Sequence, residues 1–136
     1  MGAMPEQLRG AVDLLRARLP DLVAVYLFGS LATGQTSPES DVDLAVLGRE
    51  RLEPADRWDI QERLAARLHR DVDLVDLRSA SAVMRVQVLE RSNLLFDGDP
   101  QARALFEATA LSAYARLNEE RKWILLDVHA RGSVHG

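Results

Sequence analysis

Asp41 and Asp43 are separated by one residue and open a segment in which apolar residues occupy alternate positions as far as Leu47. In a β-strand, residues i and i+2 project from the same face. Both carboxylates therefore share a face and lie about 7 Å apart along the chain. Two neighbouring anions repel each other and raise each other's pKa, and a divalent cation offsets that repulsion. Because carboxylate oxygens suit Mg²⁺, the pair predicts a Mg²⁺ site.

A third carboxylate lies in the alternating segment 71–77, which is also predicted to be a strand. Asp73 is the favoured third acid. Asp71 shares its face but stands at the start of the strand, so it is the second choice, whereas Asp76 projects from the opposite face. Three carboxylates on adjacent strands are typical of two-metal sites, in which the metals activate an attacking oxygen and stabilise a leaving pyrophosphate.

Gly29 and Ser30 directly follow the apolar, β-rich run 22–28. Glycine lets the backbone approach a phosphate closely, and the serine offers a hydroxyl and, at a helix start, a free N–H. A Gly-Ser pair alone is a weak indication, but Gly-Ser followed, after ten intervening residues, by Asp-x-Asp is much stronger. The alternative role for Asp41 and Asp43, as charges that keep a strand edge soluble, is correspondingly less favoured.

The hydrophobic pattern predicts an α/β (α+β) fold in which a mixed β-sheet is flanked by helices. Helices are expected at 5–19, 54–69, 80–91 and 101–130, and strands at 22–28, 41–47, 71–77 and, in short form, 94–96. A length of 136 residues suits a single domain, 1–136, with a core at about 5–97 and a long C-terminal helix at about 100–130.

Composition excludes several classes of protein. The absence of cysteine excludes disulfide scaffolds, cysteine zinc sites and thiol nucleophiles. A net charge of −4 argues against direct nucleic-acid binding, although a nucleotide substrate needs only a local site. No apolar run is long enough to cross a membrane, and no secretory signal pattern precedes the first helix, so a cytoplasmic protein is expected.

Together, the segments 29–34 (Gly-Ser-Leu-Ala-Thr-Gly) and 40–46 (Ser-Asp-Val-Asp-Leu-Ala-Val) resemble the active-site signature of the DNA polymerase β-type nucleotidyltransferases. The small size makes the chain most similar to the minimal nucleotidyltransferase (MNT) domains, which occur as antitoxins beside HEPN-domain toxins. Residues 94–103, with Phe106, Glu107 and Tyr114, are similar to the C-terminal part of that family, so the resemblance covers roughly residues 10–117.

The resemblance implies a nucleotidyltransferase fold and assigns roles to five residues. Asp41 and Asp43 would bind metal, Asp73 would bind metal or act as general base, and Gly29 and Ser30 would hold the nucleotide phosphates. Two Mg²⁺ ions and ATP are expected. Thr33 is a departure, because many relatives carry arginine there, and loss of the guanidinium would weaken contacts with phosphate or with the partner.

The activity implied by the resemblance is transfer of AMP from ATP to a hydroxyl, with tyrosine as the expected acceptor, of a cognate HEPN RNase toxin. This modification would neutralise the toxin, and the chain would form a hetero-oligomer with it, without direct contact with nucleic acid or membrane. Two alternatives remain open: transfer to an aminoglycoside-like small molecule, and a non-catalytic antitoxin that acts by occlusion.

Two features of the C-terminal third have structural interpretations. Asp97 and Asp99 are expected to cap the last helix. The apolar residues 123–126 are expected to pack on the core, with a partner interface as the alternative if the helix stands away from the core. Trp58 is expected in a helix core or facing a partner.

Overall fold

A computed structural model describes residues 6–29 and 41–135, apart from the side chains of residues 125 and 127–135. In chain order, the elements are α1 (Glu6–Arg18), β1 (Ala24–Phe28), β2 (Val42–Leu47), α2 (Pro54–Leu68), β3 (Val72–Asp76), α3 (Ala82–Glu90), β4 (Asn93–Asp97) and α4 (Pro100–His135). Within the described part of the chain, no helix is long and apolar enough to cross a membrane.

The four strands form one mixed sheet in the order β3-β2-β1-β4. β1 lies antiparallel to both of its neighbours, and β2 lies parallel to β3. Phe28 is paired with Asp43, and Asp43 in turn is paired with Asp73. The C-terminal end of β1 and the N-terminal ends of β2 and β3 therefore meet at one edge of the sheet.

Each face of the sheet buries its own apolar cluster, because successive side chains of a strand alternate between faces. The first face packs on α1 and α2, and its apolar cluster includes Leu15, Leu44, Leu64 and Leu74. The second face packs on α3 and α4, and its cluster is formed by Val23, Ala24, Tyr26, Ala45, Leu47, Leu77, Val88, Phe106 and Ala110. Asp43 lies two residues before Ala45, and Asp73 lies four residues before Leu77. Residues an even number apart in a strand project from the same face, so both aspartates project on the second face.

The predicted fold class and the order of the elements are confirmed, and the predicted boundaries are close to those observed. β4 spans five residues rather than the expected three, and α4 continues to His135 instead of ending near residue 130. Ser81 caps α3, because its side chain accepts a hydrogen bond from the Met84 N–H at 3.1 Å.

The two aspartates before α4 differ in role. Asp99 caps the helix, since its Oδ1 accepts from the Ala102 N–H at 3.1 Å, and its Oδ2 pairs with Arg49 at 2.7 Å. The prediction that Asp97 also caps the helix is wrong, because its carboxylate pairs with Arg103 at 3.0 Å. The hydrogen bond from Arg49 holds the pKa of the Asp99 carboxyl below its ordinary value.

Both tryptophans are exposed. Trp58 on α2 is 57% exposed and Trp123 on α4 is 69% exposed, so the core interpretation is wrong for both, and the partner-facing alternative stays a prediction. Helical periodicity alone could not separate a core stripe from an uncovered one, because both show the same spacing.

Candidate active site

The site lies at the edge of the sheet where β1 ends and β2 and β3 begin. Asp43 is half-buried, and its register partner Asp73 is exposed, with about 4.8 Å between the two strands. Asp41 is exposed and precedes β2 directly. The three aspartates singled out in the sequence therefore do lie at one edge, on the face covered by α3 and α4.

Electrostatics distinguish Asp43 within this group. Partial burial raises the pKa of the Asp43 carboxyl, and the neighbouring negative charges of Asp73 and Asp41 raise it further. An ionised Asp43 is consequently disfavoured here, and a cation or a proton at this edge would relieve the repulsion. This repulsion is the physical sign of a site that attracts positive charge.

Gly29 is placed directly against this carboxylate. Its φ is +75°, a left-handed conformation that favours glycine, and it follows β1 directly. A Cβ atom at this position would overlap the Asp43 carboxylate, with Cγ only 2.9 Å away. The sequence indicated a glycine for phosphate approach, but the close contact between Gly29 and Asp43 was not foreseen. Ser30 and Thr33 lie outside the described residues.

The donor chemistry at this edge fits Mg²⁺, because three carboxylates supply hard oxygen ligands, and the negative charges of Asp73 and Asp41 add to the burial that raises the pKa of Asp43. Among the side chains that the structure describes, no three acidic, histidine or cysteine groups converge on one point, so they do not enclose an ion by themselves. Mg²⁺ usually retains water and binds substrate phosphate, so a fully formed protein cage is not required.

Two α2 side chains hold the backbone beside Asp73. Leu74 follows Asp73 on β3, which is an outer strand of the sheet. Its N–H donates to the Gln61 Oε1 at 2.9 Å, and its carbonyl accepts from Arg57 at 2.9 Å. Arg57 also donates to Gln61 at 3.1 Å. Arg57 is therefore a structural partner of β3 and not a solvated charge on the helix surface.

Asp76 projects away from the site, as its parity predicted. It is 5% exposed, and its carboxylate accepts hydrogen bonds from the Leu52 N–H at 2.8 Å, the Arg78 N–H at 3.1 Å and the Ser79 hydroxyl at 2.9 Å. Three donors satisfy this buried anion, so Asp76 shapes the loops after β2 and β3 and is not available for chemistry.

A polar network fixes α4 over the second face. The Tyr26 hydroxyl donates to Glu107 at 2.8 Å, and Arg103 donates to both Glu107 oxygens at 3.1 Å while pairing with Asp97. Burial and the Glu107 carboxylate raise the pKa of Tyr26 well above its ordinary value. The network joins β1, β4 and α4, and β1 leads directly to Gly29.

Comparisons with known proteins bear directly on this arrangement. The family model "Polymerase beta, Nucleotidyltransferase" matches residues 12–101. The protein adenylyltransferase MntA of Shewanella oneidensis is 43% identical over 119 residues, which are 88% of this chain and 85% of that protein.

Solved structures give the same result. The crystal structure of a toxin–antitoxin with AMP-PNP matches with a TM-score of 0.81 and 40% identity, covering 91% of this chain and 98% of that one. A tri-AMPylated Shewanella oneidensis HEPN toxin in complex with MNT antitoxin matches with a TM-score of 0.76 and 39% identity, covering 90% and 95%.

A sheet edge with paired aspartates beside a left-handed glycine, on a fold of this kind, defines a nucleotidyltransferase. The chain belongs to the polymerase β-type nucleotidyltransferase family. The resemblance to MNT antitoxins of toxin–antitoxin systems, predicted from the sequence, is confirmed.

Proposed function

We propose that this chain transfers AMP from ATP to a hydroxyl of a cognate HEPN RNase toxin, with tyrosine as the expected acceptor, and so neutralises the toxin. One observation carries the proposal: Asp43 and Asp73 lie side by side at the Gly29 edge of a chain that is 43% identical to a protein adenylyltransferase. The relatives solved with AMP-PNP and with an AMPylated HEPN toxin support the nucleotide and the partner. We place the reaction in the cytoplasm, where ATP is available.

The reaction is a single displacement at phosphorus. The acceptor hydroxyl gives its proton to a carboxylate, its oxygen forms a bond to the α-phosphorus of ATP, and the bond to the pyrophosphate oxygen breaks. Asp73 is our candidate base, because it is exposed at the site while its strand is held by α2. Gly29 and Ser30 hold the phosphates in this scheme.

Asp41, Asp43 and Asp73 are our candidates for holding two Mg²⁺ ions. When bound, Mg²⁺ supplies positive charge that stabilises the pyrophosphate leaving group and favours ionisation of the attacking oxygen. Mg²⁺ should therefore raise the thermal midpoint of the wild-type protein and have less effect on Asp43→Asn. Equal effects of Mg²⁺ on both proteins would remove Asp43 from the proposed ligand set.

The direct test mixes the chain with ATP, Mg²⁺ and the cognate HEPN protein and follows the intact mass of the partner. Wild-type protein should add one or more AMP groups. Asp43→Asn and Asp73→Asn should each slow the transfer by about 10²–10⁴-fold. Asp71→Asn is the matched control, because it removes an exposed carboxylate two residues from Asp73 and should leave transfer nearly unchanged.

The same variants separate the alternatives. If Asp41→Asn with Asp43→Asn still neutralised a co-expressed toxin fully, and the wild-type complex carried no AMP, neutralisation would be by occlusion. If pyrophosphate were released with an aminoglycoside but not with the HEPN protein, the acceptor would be a small molecule.

A further inference from the structure

The described side chains in the C-terminal half of α4 are not covered by the body of the protein. Every described side chain after Leu117 is exposed, namely residues 118–124 and 126. The helix continues to His135, which is 18 residues beyond Leu117 or about 27 Å at 1.5 Å per residue. Residues 118–135 are called the projecting half below.

The projecting half carries large apolar side chains that the described part of the chain leaves uncovered. Trp123 is 69% exposed, Ile124 61% and Leu126 52%. Ile124 continues the stripe that packs on the sheet, because Phe106, Ala110, Leu117 and Ile124 follow at spacings of four, seven and seven residues. The surface on which α4 packs in the body therefore continues into open space.

The projecting half stands at the same edge of the sheet as the carboxylates. α4 begins beside the start of β1, where the Gly98 N–H donates to the Val23 carbonyl at 2.7 Å, and it meets β1 again where Glu107 contacts Tyr26. The helix thus runs along β1 towards Phe28 and its partner Asp43. Leu117 is about 15 Å beyond Glu107, whereas Phe28 is only about 7 Å beyond Tyr26.

The shape of the apolar surface selects the kind of partner. Successive helical residues are about 100° apart, so Ile124, Trp123 and Leu126 spread over an arc of about 160°. That arc is wider than the narrow seam of a two-helix coiled coil. A strip about 27 Å long and 10 Å wide also offers a second copy of this helix only about 270 Å², against about 800 Å² per partner in stable interfaces. A groove that encloses the helix fits both facts.

We propose that the projecting half of α4 docks into an apolar groove of the acceptor protein and so presents the acceptor hydroxyl to the Asp43 and Asp73 edge. This inference rests on the proposed function for the identity of the partner, the HEPN protein. Its physical basis is independent of that function: exposed apolar side chains continue a packed stripe and stand beyond the site. Such docking follows the helix-in-groove mode of recognition.

The test measures affinity for the cognate HEPN protein by calorimetry. Trp123→Ala with Ile124→Ala should raise Kd by about 30-fold or more, as expected when a central anchor is lost. Trp58→Ala is the matched control, because it removes an equally exposed tryptophan from α2, and it should stay within about threefold of wild type. The double variant should keep the wild-type circular dichroism and ATP affinity, since neither side chain packs in the body.

Failure of docking and failure of the proposed function are distinguishable. Asp43→Asn should bind the HEPN protein like the wild type while transferring AMP at the reduced rate given above. A wild-type protein that binds but transfers nothing would contradict the proposed function and leave docking intact. The docking proposal would be overturned by a double variant that binds within threefold of wild type. It would equally be overturned if the free chain sedimented as a dimer and the double variant sedimented as a monomer.

Discussion

Gly29 and Asp43 constrain each other directly in the site. Gly29 has a positive φ, and the space that a side chain would need is occupied by the Asp43 carboxylate. Any other residue at position 29 would therefore strain the backbone and displace the Asp43 carboxylate at the same time. The two positions act as one structural unit, although they are fourteen positions apart in the sequence.

Gly29→Ala should lower both stability and activity. A left-handed conformation costs a non-glycine residue about 1–2 kcal/mol, and the Cβ must push the carboxylate aside. Urea unfolding should report a loss of that size, and AMP transfer should fall further than the stability loss accounts for. Gly48→Ala is the control, because its Cβ would meet only ordinary contacts. Full transfer by Gly29→Ala would contradict the placement of Asp43.

Asp43→Asn should stabilise the protein when divalent cations are absent. The raised pKa of Asp43 means that its charged form is less favourable in the folded state than in the unfolded state. The asparagine variant should therefore melt at a higher temperature near pH 7. The difference should shrink as the pH falls through the raised pKa, because the wild-type carboxyl then becomes neutral too. Thermal scans in EDTA test this, and a variant that is less stable at pH 7 would contradict it.

Tyr26 and Glu107 connect β1 to α4, so their hydrogen bond is a property of two elements. Tyr26→Phe should lower the free energy of unfolding by about 1–2 kcal/mol at pH 7. The folded protein holds the tyrosine neutral, whereas the unfolded chain ionises near pH 10. Wild-type stability should thus decline above about pH 10, and the deficit of the variant should narrow there.

Chemical denaturation of both proteins at about pH 7 and pH 11 measures this effect. Tyr114→Phe is a suitable control, because it changes the chain's other tyrosine in the same way without touching this network. A deficit that stayed constant over the whole range would mean that Glu107 does not hold the Tyr26 proton.

The elements that position the site were predictable to different degrees. Alternating aspartates identified β2 and β3 because strand periodicity places Asp41, Asp43 and Asp73 without further information. Arg57 and Gln61 could not be identified as partners of β3, because their spacing of four residues is also that of two solvated polar residues on a helix. Hydrophobic periodicity located α4 but could not reveal that the Trp123 side chain is 69% exposed.

Asp99 makes it possible to test whether the helix cap or the ion pair with Arg49 stabilises the N-terminus of α4. It accepts the Ala102 N–H and pairs with Arg49 in the loop after β2. Asp99→Ala should cost about 1 kcal/mol, the usual loss for an N-cap, whereas Arg49→Ala should cost less, because an exposed ion pair contributes little. Equal losses in thermal or chemical unfolding would show that the ion pair, and not the cap, anchors the helix.

At the scale of the whole molecule, folding and partner binding are divided along α4. Its first half supplies Phe106 and Ala110 to the core, while the described side chains of its second half supply nothing to it. A chain ending after Leu117 should therefore unfold within about 2–4 °C of the full chain, a difference worth less than about 1 kcal/mol.

Such a truncated chain should lose helical circular dichroism from the projecting half, bind ATP normally and fail to modify the HEPN protein. A large drop in the thermal midpoint would instead show that residues 118–135 contribute to the fold. Comparing the truncated chain with the double variant separates the contribution of the whole projecting half to partner binding from that of Trp123 and Ile124 alone.

The hydrogen bonds of Arg57 and Gln61 to the Leu74 backbone affect how the protein behaves at high concentration. β3 is an outer strand, and the backbone groups of an outer strand can recruit a strand from another molecule. Here the N–H and carbonyl at the middle of that strand are already engaged by α2. Pairing of a strand from another molecule with the middle of β3 is thereby disfavoured, which lowers the tendency to aggregate through this strand.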